Sequence, residues 1–198
     1  MAEMVESRDS NTGGHIKRTS EVVHIFADRL MSCKEKFGLT KEFLQLVVKA
    51  APMHDLGKVA IDDVVLRKPG KYTDEEYAEM KRHSAEGARI VESILQGVED
   101  ESFVAVARNV AYYHHEKWNG KGYPTGKSET EIPIEARIMA LADVFDALVS
   151  KRCYEGAFSY DEAFQIIGES LGQQFDPELG KVFIECRAEL EAFYNENR

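Results

Sequence analysis

Helical periodicity is the feature of this sequence that most restricts its fold. Apolar residues recur every three or four positions along most of the chain, as on the buried face of an amphipathic helix. Runs in which β-branched and polar residues alternate are scarce, which argues against strands. The pattern predicts an all-α bundle of about seven to nine helices. The clearest helices are expected over residues 15–37, 40–51, 73–97, 101–116, 134–148, 160–171 and 177–194.

One long segment departs from this periodicity. Residues 117–133 hold three glycines and two prolines and are predicted to form a loop. Loops of this length inside a compact domain are usually functional, although simple packing over the helices is the alternative. The sequence shows no internal repeat and no interdomain linker, so residues 1–198 are predicted to form one domain, with residues 1–7 as a flexible N-terminus.

The charge balance limits the partners of the chain. It has 25 Lys and Arg against 35 Asp and Glu, a formal net charge of −10. Such a surface repels nucleic-acid backbones and anionic lipid, so neither bulk nucleic acid nor a membrane is an expected partner. No apolar run approaches the roughly 18 residues that span a bilayer. Three cysteines without a CxxC pair, and no signal peptide, predict a cytoplasmic protein.

Histidines and carboxylates form several short clusters. They are His54-Asp55, the single His83, and His114-His115-Glu116, with His15 and Asp143 on predicted helices. Imidazole and carboxylate are ligands that suit Zn, Mn, Fe or Ni. Taken singly, such a histidine is more often a helix cap or a satisfied core residue. The joint pattern favours a metal site, in which the two oxygens of Asp55 could bridge two ions.

A few charged residues could bind an anionic substrate. Lys58 lies four residues after His54 and could direct its ammonium group to a phosphate oxygen, although a solvated lysine at a turn is the alternative. Arg8, Asp9, Arg18 and Arg137 are more simply interpreted as surface or helix-pair charges.

Residues 114–124, HHEKWNGKGYP, resemble the signature of HD-GYP domains, which are bacterial cyclic di-GMP phosphodiesterases. The upstream HDLGK at residues 54–58 is similar to the family's HD motif, and the segments around residues 8–18, 83, 143 and 175–177 also resemble family elements. The resemblance covers about residues 8–185 and implies the helical HD-domain fold. It also implies seven metal ligands: His15, His54, Asp55, His83, His114, His115 and Asp143.

The sequence departs from the family pattern in places. Asn11 stands where many members carry a glutamate that helps to hold a third metal ion. Because an amide is a weaker, neutral ligand, two ions are expected here. Asn119 replaces the aspartate of the usual DGxGYP, and residues 127–130 also diverge. Arg152 matches a substrate-contacting arginine, whereas Glu155 stands where a basic residue is common.

The resemblance implies a metal-dependent phosphodiesterase that hydrolyses cyclic di-GMP to linear pGpG, GMP or both through a metal-bridging hydroxide. Asp55 and Lys58 are the candidate catalytic residues. Lys58, Arg152, Tyr123 and Asp9 are the candidate substrate contacts. Two divalent transition-metal ions are expected, with Fe or Mn favoured and Ni or Zn also suited.

Two alternatives stay open at this point. One is an HD-type phosphohydrolase of another nucleotide. The other is a catalytically weak domain that binds a nucleotide or a protein, which Asn11, Asn119 and Glu155 favour. A signalling-protein partner, a sensory or receiver domain and a homodimer are possible associations that the sequence does not specify.

Overall fold

The computed structural model describes residue 8 and residues 14–150 and 157–197. These residues form ten α-helices, of which eight are longer than four residues, and the all-α prediction is confirmed. The helices are α1 His15–Met31, α2 Lys34–Phe37, α3 Lys41–Ala50, α4 Asp63–Leu66, α5 Asp74–Ile94, α6 Glu101–Tyr113, α7 Ile134–Val149, α8 Tyr160–Glu169, α9 Pro177–Glu185 and α10 Arg187–Glu196. Short 3₁₀ turns cover Ala51–Met53, Leu56–Ala60 and Glu129–Glu131.

Two predicted helices are each divided into two. The first breaks at Cys33, whose φ of −132° and ψ of 25° are not helical, and the last breaks at Cys186. Cys186 is fully buried, so the apolar pattern continues through the break and conceals it. The helix predicted over residues 101–116 ends at Tyr113. The predicted cap at Thr73 is present, in a reciprocal capping box with Glu76.

The core lies between the first helix and the later ones. α1 packs on α3 and α7, and α6 packs on α3, α5 and α7. The rings of Phe26 on α1 and Phe183 on α9 meet edge to face with centroids 5.1 Å apart, and Phe145 on α7 contacts Phe183 at 5.6 Å. All three rings are fully buried, so the core fixes α1 against α7 and α9.

A close backbone contact joins the 3₁₀ turn Leu56–Ala60 to α5. A Cβ atom placed on Gly57 would lie 1.8 Å from the carbonyl oxygen of His83 and 2.4 Å from the backbone nitrogen of Gly87. Only glycine permits this approach. The contact therefore holds the segment that carries Asp55 directly against the helix that carries His83.

None of the helices in the described part of the chain combines the length and the apolar character required to cross a bilayer.

Candidate metal centre

The predicted ligands come from five separate parts of the fold. His15 is the first residue of α1, His83 lies within α5, and Asp143 lies within α7. His54 and Asp55 stand between the two 3₁₀ turns that follow α3, and His114 and His115 directly follow α6. The packing of these helices brings the seven residues into one mostly buried centre.

The seven side chains form two groups of potential ligands. One contains Asp55, His83, His114 and His115, and the other contains His15, His54 and Asp143; the ligand atoms of each group lie within 4.8 Å of one another. This is the donor set that binds divalent transition metals.

The carboxylate of Asp55 lies between the two groups. Its Oδ1 atom is 3.6 Å from Nε2 of His83 and 3.9 Å from Nε2 of His114. Its Oδ2 atom is 3.5 Å from Nε2 of His54 and 3.8 Å from Nε2 of His15. Asp55 therefore presents one oxygen to each group, which is the arrangement a bridging ligand needs.

Hydrogen bonds to Nδ1 orient the imidazoles of His15, His54, His83 and His114 so that Nε2 faces the centre. Nδ1 of His54 donates to the carbonyl of Ala51 at 2.8 Å, and Nδ1 of His83 donates to the carbonyl of Met80 at 2.7 Å. Among the residues that the structure describes, Nε2 of His83 and Nε2 of His114 are buried without a hydrogen-bond partner. Buried polar atoms without a partner are costly, and a metal ion would satisfy both. The residues present therefore fit a metal ion.

His15 is held by a carboxylate that is not among the ligands predicted from the sequence. Asp146 is 1% exposed, and its Oδ2 atom accepts a hydrogen bond from Nδ1 of His15 at 2.7 Å. Its Oδ1 atom accepts from Nε of Arg18 and from the hydroxyl of Tyr194, both at 2.6 Å. Burial raises the pKa of Asp146, but these hydrogen bonds outweigh burial and hold it below its usual range. A signal existed, because Asp146 lies one turn after Asp143 on the buried face of α7.

Burial keeps the histidines around Oδ1 of Asp55 neutral. It lowers the pKa of His114 to about 3, lowers that of His115 well below its ordinary value, and lowers that of His83. Neutral imidazole is the form that binds a metal. His54 differs, because its own burial is outweighed by the neighbouring carboxylates Asp55 and Asp143, and its pKa is raised.

Lys58 reaches the same carboxylate. Its Nζ atom lies 2.7 Å from Oδ2 of Asp55, and its side chain is 18% exposed, so the interpretation as a solvated lysine at a turn does not hold. Burial alone would raise the pKa of Asp55, but the charges of Lys58 and His54 lower it well below its ordinary value. The centre therefore holds a carboxylate anion beside a cation that could contact a phosphate.

The predicted loop is anchored beside the centre by Glu116. The Glu116 carboxylate is outside both ligand groups and accepts hydrogen bonds from N and Oγ1 of Thr125, both at 2.7 Å, and from N of Gly126 at 3.1 Å. Within this loop the Tyr123 ring packs on the His115 ring, with centroids 4.8 Å apart and planes inclined by 33°. Burial raises the pKa of the Tyr123 phenol.

Two of the arginines interpreted as surface or helix-pair charges are in fact paired with buried carboxylates. Arg18 binds Asp146, as described above, and NH1 of Arg137 lies 2.6 Å from Oδ2 of Asp176. The candidate substrate contacts Asp9 and Arg152, like Asn11 and Glu155, lie outside the described residues.

The helical fold and its histidine–aspartate centre define a class of protein. The chain belongs to the HD domain family, whose sequence profile matches residues 1–179, and the family expected from the sequence is confirmed.

Two relatives with known names are similar to this chain over most of its length. The chain is 45% identical over 185 residues to a cyclic di-GMP phosphodiesterase of Vibrio cholerae serotype O1, a match that covers 93% of this chain and 38% of the relative. It is 36% identical over 185 residues to a 3′3′-cGAMP-specific phosphodiesterase 2 of the same organism, covering 93% of this chain and 33% of the relative. Thus the chain spans less than half the length of these relatives.

A solved structure supports the fold. Bd1817, an HDG"Y"P protein from Bdellovibrio bacteriovorus, superposes with a TM-score of 0.61 at 22% sequence identity, over 86% of this chain and 50% of that one.

Proposed function

We propose that this chain is a metal-dependent phosphodiesterase that hydrolyses cyclic di-GMP to linear pGpG, GMP or both. The position of Asp55 carries the proposal, because its two carboxylate oxygens face two separate groups of histidines. Relatives named for the hydrolysis of cyclic dinucleotides support the substrate class.

The seven ligands His15, His54, Asp55, His83, His114, His115 and Asp143 would hold two divalent ions, with Asp55 shared between them. When bound, such ions polarise a phosphodiester and activate a water molecule for attack on phosphorus. Mixed nitrogen and oxygen donors accept Fe, Mn, Ni or Zn, and Fe or Mn stays the favoured choice from the sequence.

The remaining site residues would bind and orient the substrate. Lys58 is placed beside Asp55 and would donate to a non-bridging phosphate oxygen, stabilising the charge that develops there. Tyr123, packed on His115, would border the pocket. Arg152 and Asp9 are kept as further substrate contacts on the basis of the sequence.

Turnover of cyclic di-GMP by protein loaded separately with Fe(II), Mn(II) and Ni(II), with the products identified, tests this function. We expect hydrolysis to pGpG or GMP with at least one metal. Cleavage of another nucleotide in place of cyclic di-GMP would establish the first alternative. Metal-replete protein that binds cyclic di-GMP and never cleaves it would establish the second.

The number of ions is tested separately. Elemental analysis of anaerobically purified protein is expected to give about two transition-metal ions per chain. A firm value of three would reject the inference drawn from Asn11.

A cytoplasmic location is also proposed. Cys33 and Cys186 are free thiols, and burial raises the pKa of Cys186 to about 12, which makes it unreactive. Unpaired cysteines are consistent with a reducing compartment. A homodimer and a signalling-protein partner stay predictions of the sequence.

A further inference from the structure

An aromatic ring and an ammonium group lie beside Tyr123 at the edge of the centre. They belong to Tyr77 and Lys81, one turn apart on α5, the helix that also carries His83. The rings of Tyr77 and Tyr123 meet edge to face with centroids 6.4 Å apart. Nζ of Lys81 lies 4.8 Å from the Tyr77 centroid and 6.0 Å from the Tyr123 centroid. Because Tyr123 packs on His115, these contacts lead without a gap from the metal ligands to the surface.

The two side chains differ in burial, with Tyr77 exposed and Lys81 half-buried. Tyr77 is 48% exposed, which is unusual for a large ring next to a buried centre. No carboxylate in the described part of the chain lies within 4.0 Å of Nζ of Lys81, although the complete chain is strongly acidic. An exposed ring next to a cation without a salt bridge suits a ligand that is both planar and rich in hydrogen-bond acceptors.

We propose that Tyr77 and Lys81 bind one guanine base of the cyclic dinucleotide. This inference rests on the proposed function and adds a base preference to it. Tyr77 stacks on the base, an interaction that any base can make and that therefore supplies affinity. Lys81 donates to O6 and N7 of guanine, which are both acceptors, whereas adenine presents an N6 donor beside N7. The ammonium group therefore supplies the preference for guanine.

The stacking role is tested by comparing cyclic di-GMP with inorganic phosphate, which carries no ring. The ratio of the inhibition constant of inorganic phosphate to the KM of cyclic di-GMP is expected to fall about tenfold in Tyr77→Ala. Tyr77→Phe keeps the ring and should restore the ratio. Lys49→Met on α3, which lines an outer groove with His24, is the control and should leave the ratio unchanged. Circular dichroism checks that each variant is folded.

The preference is tested by binding. Calorimetric titration of the wild-type protein with GMP and with AMP is expected to give a lower Kd for GMP by about fivefold or more, and Lys81→Met should bring the two values together. One outcome overturns this inference and leaves the proposed function standing. In it, the wild type hydrolyses cyclic di-GMP, but Tyr77→Ala changes the first ratio by less than twofold and Lys81→Met changes the ratio of the Kd values for AMP and GMP by less than twofold. If the wild type hydrolyses no cyclic dinucleotide, the proposed function is overturned, and the inference with it.

Discussion

The buried carboxylate of Asp146 holds the imidazole of His15 through a 2.7 Å hydrogen bond from Nδ1. This bond directs Nε2 of His15 toward Oδ1 of Asp143, 3.4 Å away. Carboxylates that orient a ligating histidine in this way typically change metal affinity by 10- to 100-fold when replaced. Asp146→Asn is therefore expected to weaken Mn(II) binding by about that factor, measured by titration of metal-depleted protein.

Asp176→Asn is the matched control for this prediction. Asp176 is also a buried carboxylate paired with an arginine, but it contacts none of the histidines. Its replacement should lower the free energy of unfolding without changing Mn(II) affinity. Equal losses of Mn(II) affinity in both variants would show that Asp146 acts only through stability.

Removal of Asp55 should disable both ligand groups at once. In Asp55→Ala each group loses the oxygen that Asp55 presents to it, and we expect loss of metal loading and of cyclic di-GMP hydrolysis. Metal content by elemental analysis and turnover are measured on the same preparation. Asp55→Asn, which keeps the shape of the side chain, should fail similarly. Full activity in either variant would show that the assignment of the centre is wrong.

Glu116 should act through the loop and not through the metals. Glu116→Ala removes the acceptor of three donors on Thr125 and Gly126, so the segment that carries Tyr123 loses its anchor. The lost hydrogen bonds correspond to about 1–3 kcal/mol of stability. We therefore expect kcat/KM on cyclic di-GMP to fall about tenfold, whereas the metal content of the protein should not change. Glu131→Ala, which removes an exposed capping box from the same loop, is the control. A parallel loss of metal would contradict this role.

The contact between Gly57 and α5 predicts that one added methyl group at residue 57 will strongly lower the stability of the fold. Gly57→Ala would place Cβ 1.8 Å from the carbonyl oxygen of His83, so the backbone has to move, at a cost of about 1–3 kcal/mol or more. We expect lower stability by chemical denaturation and weaker metal binding. Gly168→Ala, on α8 with only Ile184 nearby at 3.9 Å, should instead stabilise by about 0.5–1 kcal/mol.

The metal-free protein should become less stable as the pH falls from about 6.5 toward about 3. Burial lowers the pKa of His114 to about 3 in the folded chain, against 6.5 for an ordinary histidine, so the unfolded chain binds more protons in this range. The free energy of unfolding should therefore fall with a slope of up to about 1.4 kcal/mol per pH unit from this residue. Denaturation in EDTA at several pH values should show a shallower slope for His114→Leu. His24→Leu, at an exposed position, should keep the full slope.

Candidate ligands could be predicted from residue types in the sequence, whereas contacts between residues far apart in the chain could not. The clusters of histidine and aspartate indicated a metal site, and the resemblance to HD-GYP domains implied the seven candidate ligands, which the structure does place together. The support of His15 by Asp146 could not be read directly, because the two residues are 131 positions apart. The breaks at Cys33 and Cys186 were also hidden, since buried side chains continue the helical pattern across Cys186.

Tyr194 connects the last helix to this arrangement. It lies on α10, beyond the residues that match the family profile, yet its hydroxyl donates to the same carboxylate that holds His15. The first and last helices of the described chain are thus joined through one buried side chain. A displacement of α10 would therefore withdraw a hydrogen-bond donor from the carboxylate that orients a candidate metal ligand.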